Sequence, residues 1–178
     1  RNGIKYSISL NYDIWKTMLI KSRNFKNVSL IGMAGTGKSY ISKLLSIKNG
    51  WKLVEIDDII EKKYGQKLSI IIKKYGNKYF QKIEEKITIQ QKGKGNNNIF
   101  STGGSIIYSD NAMKHLQNIS LIIYLNTSLD TITQRIENPQ KRGIILEDNE
   151  TIESLYNKRS KLYEKYSHIQ INCNISLT

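Results

Sequence analysis

Short apolar runs alternate along the chain with longer segments whose apolar residues recur every three or four positions. Short runs rich in β-branched residues are typical of buried strands, and the longer repeats are typical of amphipathic helices. In chain order, the predicted strands are 28–31, 51–56, 99–102, 119–125 and 168–173. A helix is predicted after each of the first two strands, the first ending at Gly50 and the second at Gly65. Four more helices are predicted at 70–76, 78–91, 128–137 and 150–166. Strands that alternate with helices predict an α/β fold in which one parallel sheet is covered by helices on both faces.

The first predicted strand leads into GMAGTGKS, which fits the pattern G-x-x-x-x-G-K-S. Its glycines let the backbone turn so that N–H groups converge on phosphates, and the helix that follows points its positive end at the same place. Lys38 can reach the β- and γ-phosphates, and the Ser39 hydroxyl can bind Mg²⁺. A chance glycine loop would match the same short pattern, but the strand before it and the helix after it favour a phosphate-binding loop. The candidate ATP-binding residues here are Gly32, Gly35, Thr36, Gly37, Lys38, Ser39 and Tyr40.

Two acidic residues lie at the end of the second predicted strand. Glu55 and Asp57 are two residues apart, so at strand spacing they would point the same way, toward the phosphate-binding loop. One carboxylate would hold a hydrated Mg²⁺, and the other would accept a proton from a substrate hydroxyl. The alternative is that these acids, with Asp58, only cap a helix or lie on the surface.

Gly103 and Gly104 directly follow the third predicted strand. Paired glycines let a ligand approach the backbone closely, although a tight turn alone would also explain them. Arg159 lies on the apolar stripe of the last helix, between Tyr156 and Tyr163. A charge on a buried stripe needs a partner, which is either an internal carboxylate or an anionic ligand such as a substrate carboxylate.

A polar segment with basic residues separates the last two helices. Arg135 and Arg142 flank Asn138 and Pro139, which is typical of a mobile lid that brings positive charge to nucleotide phosphates. The alternative is an ordinary solvated loop.

Composition limits the remaining possibilities. The 178 residues predict one domain and contain no apolar run long enough to span a membrane, so we expect a soluble protein without a membrane partner. The only cysteine, Cys173, excludes an internal disulfide and fits a reducing compartment. The net charge of +13 comes from scattered lysines, which argues against a nucleic-acid partner and favours attraction of anionic substrates.

Residues 1–26, an extension before the domain at 27–178, are a targeting remnant or an extra helix.

Taken together, these segments resemble the shikimate kinase family from about residue 28 to residue 174. The phosphate-binding loop matches but is common to many families. More specific are EIDDIIEKKYG, which is similar to the family's acid-x-Asp-x-x-Ile-Glu-x-x-x-Gly segment, and YFQKIEE, which resembles Phe-Arg-x-x-Glu. STGGS resembles the triple-glycine turn, RGII the end of the lid, and KRSKLY the segment Arg-x-Pro-Leu-Tyr. The order and separations of these segments also agree.

The resemblance implies a P-loop NTPase-like, three-layer fold with a five-stranded parallel sheet in the order 2-3-1-4-5 and a mobile lid. It implies transfer of the γ-phosphoryl group of ATP, with Mg²⁺, to the 3-hydroxyl of shikimate in aromatic amino-acid biosynthesis. We therefore expect a small-molecule substrate, a monomer and a cytoplasmic location, or a plastid-like organelle if the N-terminus is a targeting remnant. The implied roles are catalysis by Lys38, Asp57 and Arg142, ATP contacts from Arg135 and Arg142, Mg²⁺ at Ser39 and Glu55, and substrate binding by Asp57, Gln81, Gly103, Gly104 and Arg159.

Three departures from the family pattern affect the acceptor side. Gln81 stands where the family has an arginine that also binds the substrate carboxylate, Glu55 replaces a shorter acid, and Ser105 replaces the third glycine. Loss of a charged hydrogen bond costs about 1.5–3 kcal/mol. Shikimate kinase is the leading hypothesis. The alternatives are a related kinase with another acceptor, and a nucleotide-binding protein that has lost turnover.

Overall fold

Five parallel strands form a single sheet in the computed structural model, which describes residues 26–93, 97–136, 144, 146 and 150–174. The sheet order is β2-β3-β1-β4-β5, so the predicted fold class and strand order are confirmed. The strands are β1 (Asn27–Ile31), β2 (Lys52–Glu55), β3 (Asn98–Ser101), β4 (Leu121–Asn126) and β5 (Ile169–Asn172). The predicted lid centre, 137–143, and nearly all of the N-terminal extension, 1–25, lie outside the described residues.

Seven α-helices and one 3₁₀ turn connect the strands in the described part of the chain. The helices are α1 (Lys38–Asn49), α2 (Ile56–Tyr64), α3 (Leu68–Tyr75), α4 (Asn77–Ile89), α5 (Asp110–Ile119), α6 (Leu129–Arg135) and α7 (Ile152–Tyr166), and the 3₁₀ turn is Ile106–Tyr108. Six of the helices match the predictions to within a few residues, whereas α5 was not predicted. No helix in the described ranges combines the length and the apolar character that a membrane crossing requires.

The apolar residues of the central strands alternate between the two faces of the sheet. On β4, Ile122 and Tyr124 pack against α5 and α7, whereas Leu121, Ile123 and Leu125 pack against α1. Successive side chains of a strand point to opposite faces, so a strand with apolar residues at every position is buried on both. The near-continuous apolar run at 119–125 therefore explains why β4 is an interior strand of the sheet with helices on both faces.

A third apolar cluster holds helices α2, α3 and α4 together beside the sheet. Its buried members are Ile56, Ile60, Ile71, Ile72, Phe80, Ile83 and Ile87. This cluster fixes the start of α2 and the inner face of α4, which carry the acidic residues discussed below.

Parallel pairing brings three strand ends to the same edge of the sheet. Leu30 of β1 and Glu55 of β2 both pair with Ser101 of β3. Ligands of open α/β sheets bind outside the carboxyl ends of the strands. The segments that follow β1, β2 and β3 therefore converge on one place.

Candidate active site

The loop between β1 and α1 has a backbone that requires glycine at three positions, Gly32, Gly35 and Gly37. A Cβ atom on Gly32 would lie 2.9 Å from the carbonyl oxygen of Leu125, and the φ angle of Gly32 is +146°. Gly37 has φ +91° and stands at the N-terminal cap position of α1. The Thr36 hydroxyl donates a 2.8 Å hydrogen bond to the Met33 carbonyl, which closes the turn. The amides of the loop and of the first turn of α1 thus form a concave anion site.

Lys38 is folded back over this loop. Its ammonium group donates hydrogen bonds to the carbonyl oxygens of Gly32, at 2.7 Å, and Met33, at 2.8 Å. Burial lowers the pKa of Lys38 to about 8, and the nearby Asp57 carboxylate opposes this shift. An ammonium whose hydrogen bonds in the described structure go to neutral carbonyls can transfer them to an arriving phosphate, because hydrogen bonds between two charged groups are stronger.

A cavity of about 500 Å³ opens above the loop and joins the segments at the sheet edge. Ser39 and Tyr40, both exposed, line it at the start of α1. Its other lining residues are Ala34, Gly35, Gly37, Lys38, Asp57, Leu68, Phe80, Thr102, Gly103, Gly104, Ser105, Arg135, Ile144 and Arg159. Most of the predicted nucleotide and substrate residues therefore meet in one space.

The two acids after β2 do not point the same way as predicted. Strand β2 ends at Glu55 and α2 begins at Ile56, so Asp57 belongs to the first turn of a helix and not to the strand. Asp57 lines the cavity, whereas Glu55 is not among its lining residues and lies 3.9 Å from the Lys43 ammonium. The strand-spacing argument was wrong because it applied strand geometry beyond Glu55 to a residue that lies in a helix, although Asp57 still reaches the predicted place.

Asp57 is an incompletely paired carboxylate. Its Oδ1 atom is buried and makes no hydrogen bond within the described part of the structure. Burial raises the pKa of Asp57 to about 6, although the nearby Lys38 ammonium opposes the shift. A buried carboxylate with an unused acceptor atom, facing a cavity, is suited to accept a hydrogen bond from a substrate hydroxyl.

The two glycines after β3 lie between the charged groups of the site. A Cβ atom on Gly103 would overlap Glu84 Oε1 and would lie 3.0 Å from Asp57 Oδ1. A Cβ atom on Gly104 would lie 3.0 Å from Arg159 Nη1. The side chains of Glu84, Asp57 and Arg159 therefore approach these glycines closely, whereas the contact of the glycines with a ligand stays a prediction.

Arg159 reaches the cavity from α7, whereas Asp57 reaches it from α2. The residues one turn before and after it, Leu155 and Tyr163, are buried. Its Nε donates a 3.3 Å hydrogen bond to the Tyr108 hydroxyl, and its guanidinium lies 5.4 Å from the centre of the Tyr108 ring. Tyr163 donates a 2.7 Å hydrogen bond to the Gly104 carbonyl and thereby fixes the glycine turn against α7.

A second, smaller cavity adjoins the first and contains Gln81. It measures about 310 Å³ and shares Phe80, Ser105 and Arg159 with the larger cavity. Gln81 therefore lies on the acceptor side, near Arg159, but it does not line the main cavity.

Glu84 and Ser105 belong to the site although neither was assigned a binding or catalytic role, and Ser105 was expected only as a departure from the family pattern on the acceptor side. Glu84 is fully buried, and its Oε2 accepts a 2.5 Å hydrogen bond from the Ser105 hydroxyl. Burial, and then the neighbouring Asp57 carboxylate, raise the pKa of Glu84 to about 8. The sequence offered a signal, since Glu84 falls three residues after Gln81 on the same face of a helix.

Of the two predicted lid arginines, Arg135 is described. Its Nη1 donates a 3.1 Å hydrogen bond to the Gly35 carbonyl, and its side chain lines the main cavity beside the loop. Arg142 lies outside the described residues, so its position stays a prediction.

Comparison with known proteins gives a consistent set of relatives. The family model described as shikimate kinase matches residues 34–177. The chain is 33% identical over 138 residues to a shikimate kinase of Persephonella marina, covering 78% of this chain and 84% of the relative. It is 36% identical over 142 residues to a shikimate kinase of Thermodesulfovibrio yellowstonii, covering 79% and 82%.

Solved structures agree at the level of the fold. A shikimate kinase from Acinetobacter baumannii in complex with shikimate superposes with a TM-score of 0.73 at 23% identity, covering 88% of each chain. A deoxyadenosine kinase from M. mycoides with bound dATP gives a TM-score of 0.51 at 17% identity, covering 85% of this chain and 93% of the other. The chain therefore shares its architecture with small-molecule kinases.

Proposed function

Because the chain belongs to the shikimate kinase family, we propose that it transfers the γ-phosphoryl group of ATP to the 3-hydroxyl group of shikimate. The observation that carries the proposal is that the phosphate-binding loop, Asp57 and Arg159 line one cavity of about 500 Å³. Phosphoryl transfer needs little covalent chemistry from the protein, so positioning and charge stabilisation carry most of the catalysis.

At the nucleotide end, the loop amides from Gly32 to Ser39 would hold the β- and γ-phosphates. Lys38 would exchange its two carbonyl partners for phosphate oxygens and stabilise the charge that develops on the transferring group. Arg135, which is already fixed to the Gly35 carbonyl, would contact ATP from the lid side together with Arg142. Tyr40 would border the nucleotide at the exposed side of the cavity.

At the acceptor end, Asp57 would bind the hydroxyl group that is phosphorylated and accept its proton. The position of Asp57 in the lining of the main cavity supports this role. Arg159 would pair with the substrate carboxylate, because a guanidinium can form two parallel hydrogen bonds with it. Gly103 and Gly104 would line the substrate between these groups, with Gln81 contributing a neutral amide from the adjoining cavity.

The family also implies a magnesium ion, and the donor atoms present fit it. Mg²⁺ is usually held by one or two protein oxygens together with phosphates and water. The Ser39 hydroxyl at the start of α1 lines the cavity, so we propose it as a direct ligand. Glu55 lies near Lys43 and outside the lining, so it would act through water. When bound, the ion would neutralise phosphate charge.

The test is an ADP-release assay with ATP, Mg²⁺ and shikimate, beside a panel of other hydroxylated acids. Lys38→Ala is expected to lower kcat by at least about 100-fold, because one charged donor to the transition state is lost. Lys48→Ala is the matched control, since Lys48 is an exposed lysine at the other end of α1.

The panel also separates the proposal from its alternatives. Faster turnover of another acid would identify a kinase with an altered acceptor. ATP binding without turnover of any acid would identify a nucleotide-binding protein, and would contradict the proposed reaction.

A further inference from the structure

Glu84 is a fully buried acid without a cationic partner. Its relative exposure is 0%, and no lysine or arginine of the described residues lies within 4.0 Å of its carboxylate. The position one turn earlier on the same face of α4 holds the neutral Gln81. A buried ionised carboxylate without a partner is costly, and such groups bind a proton instead.

The contacts of Glu84 point to Oε1 as the place for that proton. Oε2 already accepts from the Ser105 hydroxyl at 2.5 Å, whereas Oε1 is buried and has no partner in the described part of the structure. Oε1 and the equally unpartnered Asp57 Oδ1 border the same point, which a Cβ atom on Gly103 would occupy. Two buried carboxylates near one another oppose double ionisation, so a proton on one of them is favoured.

We propose that Glu84 is a positioning residue that carries a proton on Oε1 and directs it toward Asp57, because Ser105 occupies Oε2 and Gln81 supplies no positive charge. The positioning role assigned to Glu84 rests on the proposed function. The Asp57 side chain is then held toward the cavity, where the acceptor hydroxyl would bind. An uncharged Glu84 also adds no negative charge beside the substrate carboxylate that Arg159 would bind.

The groups that face Glu84 come from four elements. They are Lys38 at the start of α1, Asp57 of α2, Ser105 after β3 and Arg159 of α7. Burial raises the pKa of Glu84 to about 8, and the Asp57 carboxylate adds to the rise. The Ser105 hydrogen bond, Arg159 and Lys38 act in the opposite direction but do not cancel it.

Infrared spectroscopy of the full chain in deuterated buffer, without substrates, tests the proton directly. At pH 7 the wild-type spectrum minus that of Glu84→Gln is expected to contain the carbonyl band of a neutral carboxyl group. Because the pKa of Glu84 is about 8, this band should decay as the pH rises through that value. A difference spectrum at pH 7 with a carboxylate band in its place would overturn the proposal.

Two further variants keep the test independent of how well Glu84→Gln folds. Ser105→Ala removes a hydrogen bond that favours the ionised form, so its neutral-carboxyl band should persist to higher pH than in the wild type. Gln81→Arg places a cation one turn from Glu84 and should abolish the band at pH 7, whereas the neutral control Gln81→Met should retain it. A band unchanged by both Ser105→Ala and Gln81→Arg would contradict the assignment. Because no substrate is present, a failure to phosphorylate shikimate leaves this test unaffected.

Discussion

At the scale of single residues, the site depends on ionisable side chains that are buried close to one another. Lys38, Asp57 and Glu84 each have a pKa moved toward neutrality, and burial is the largest cause in all three. A folded chain tolerates such groups when they serve binding or catalysis. The glycines between them matter equally, because they are the reason that two carboxylates and a guanidinium can approach one turn of backbone.

Gly103→Ala should damage the acceptor site more than Gly104→Ala does. The new Cβ atom at 103 would overlap buried Glu84 and crowd Asp57, whereas at 104 it would meet the end of the longer Arg159 side chain at 3.0 Å. Displacing catalytic groups by about 1 Å costs on the order of 100-fold in rate, so we expect that loss in kcat/KM for shikimate from Gly103→Ala. The ATP dissociation constant, measured by titration calorimetry, serves as the internal control and should stay within about twofold. Equal losses from both alanines would contradict the assigned contacts.

Gln81→Arg should lower the KM for shikimate. A guanidinium at this position would share a cavity with Arg159 and add a charged hydrogen bond to the substrate carboxylate. Such a bond is worth about 1.5–3 kcal/mol, so the expected gain is about tenfold or more. Steady-state kinetics with Gln81→Met as the uncharged control would check it. A lower KM for shikimate in both Gln81→Arg and Gln81→Met would show that the effect does not come from the added charge.

Local patterns predicted some of these residues but not others. Lys38 follows from the loop motif, and Arg159 follows from its phase on an apolar helix face. The contact between Glu84 and Ser105 was not predictable, because it joins residues 21 positions apart across two elements. Only the packing of α4 against the turn after β3 brings them together.

At the scale of the elements, the boundaries decide where the chemistry lies. Helix α2 begins at the residue after β2 ends, and this abrupt change turns Asp57 into the cavity. Strand and helix types were predictable because the apolar periods are clear in 119–125 and in α7. Helix α5 was missed because its buried apolar stripe consists of only Ala112, Met113 and Leu116 in a polar segment. Its start depends on the Ser109 side chain, which accepts a hydrogen bond from the Ala112 amide.

Thr151→Ala should destabilise the helix that carries Arg159. Thr151 and Ser154 form a reciprocal capping box at the start of α7, in which each hydroxyl accepts a 3.0 Å hydrogen bond from the other residue's amide. Loss of a threonine cap costs about 1 kcal/mol, which urea unfolding can measure. Thr133→Ala is the matched control, because Thr133 is an exposed threonine inside α6 and caps nothing. Equal losses from both variants would rule out a capping effect.

At the scale of the whole molecule, the positive charge is spread along the chain, whereas the candidate catalytic groups lie in one cavity. The excess of 28 basic over 15 acidic residues gives a net charge of +13, which attracts anions over a range limited by salt. That field would assist a nucleotide and an acidic acceptor alike, but it does not select between reactions. Selection comes from the cavity, where three strand ends, α2 and α7 bring together groups that are distant in the sequence.

The pH dependence of overall stability should contain a contribution from Glu84. Its pKa is about 8 in the folded protein and 4.5 in its ordinary state, so between these values the folded chain binds more protons than the unfolded chain. Stability falls with pH where the unfolded state binds fewer protons. The free energy of unfolding of the wild type, relative to Glu84→Gln, should therefore decrease from pH 5 to about pH 8 and then level off. Urea unfolding at matched ionic strength measures it, and a difference independent of pH would show that Glu84 is ionised throughout.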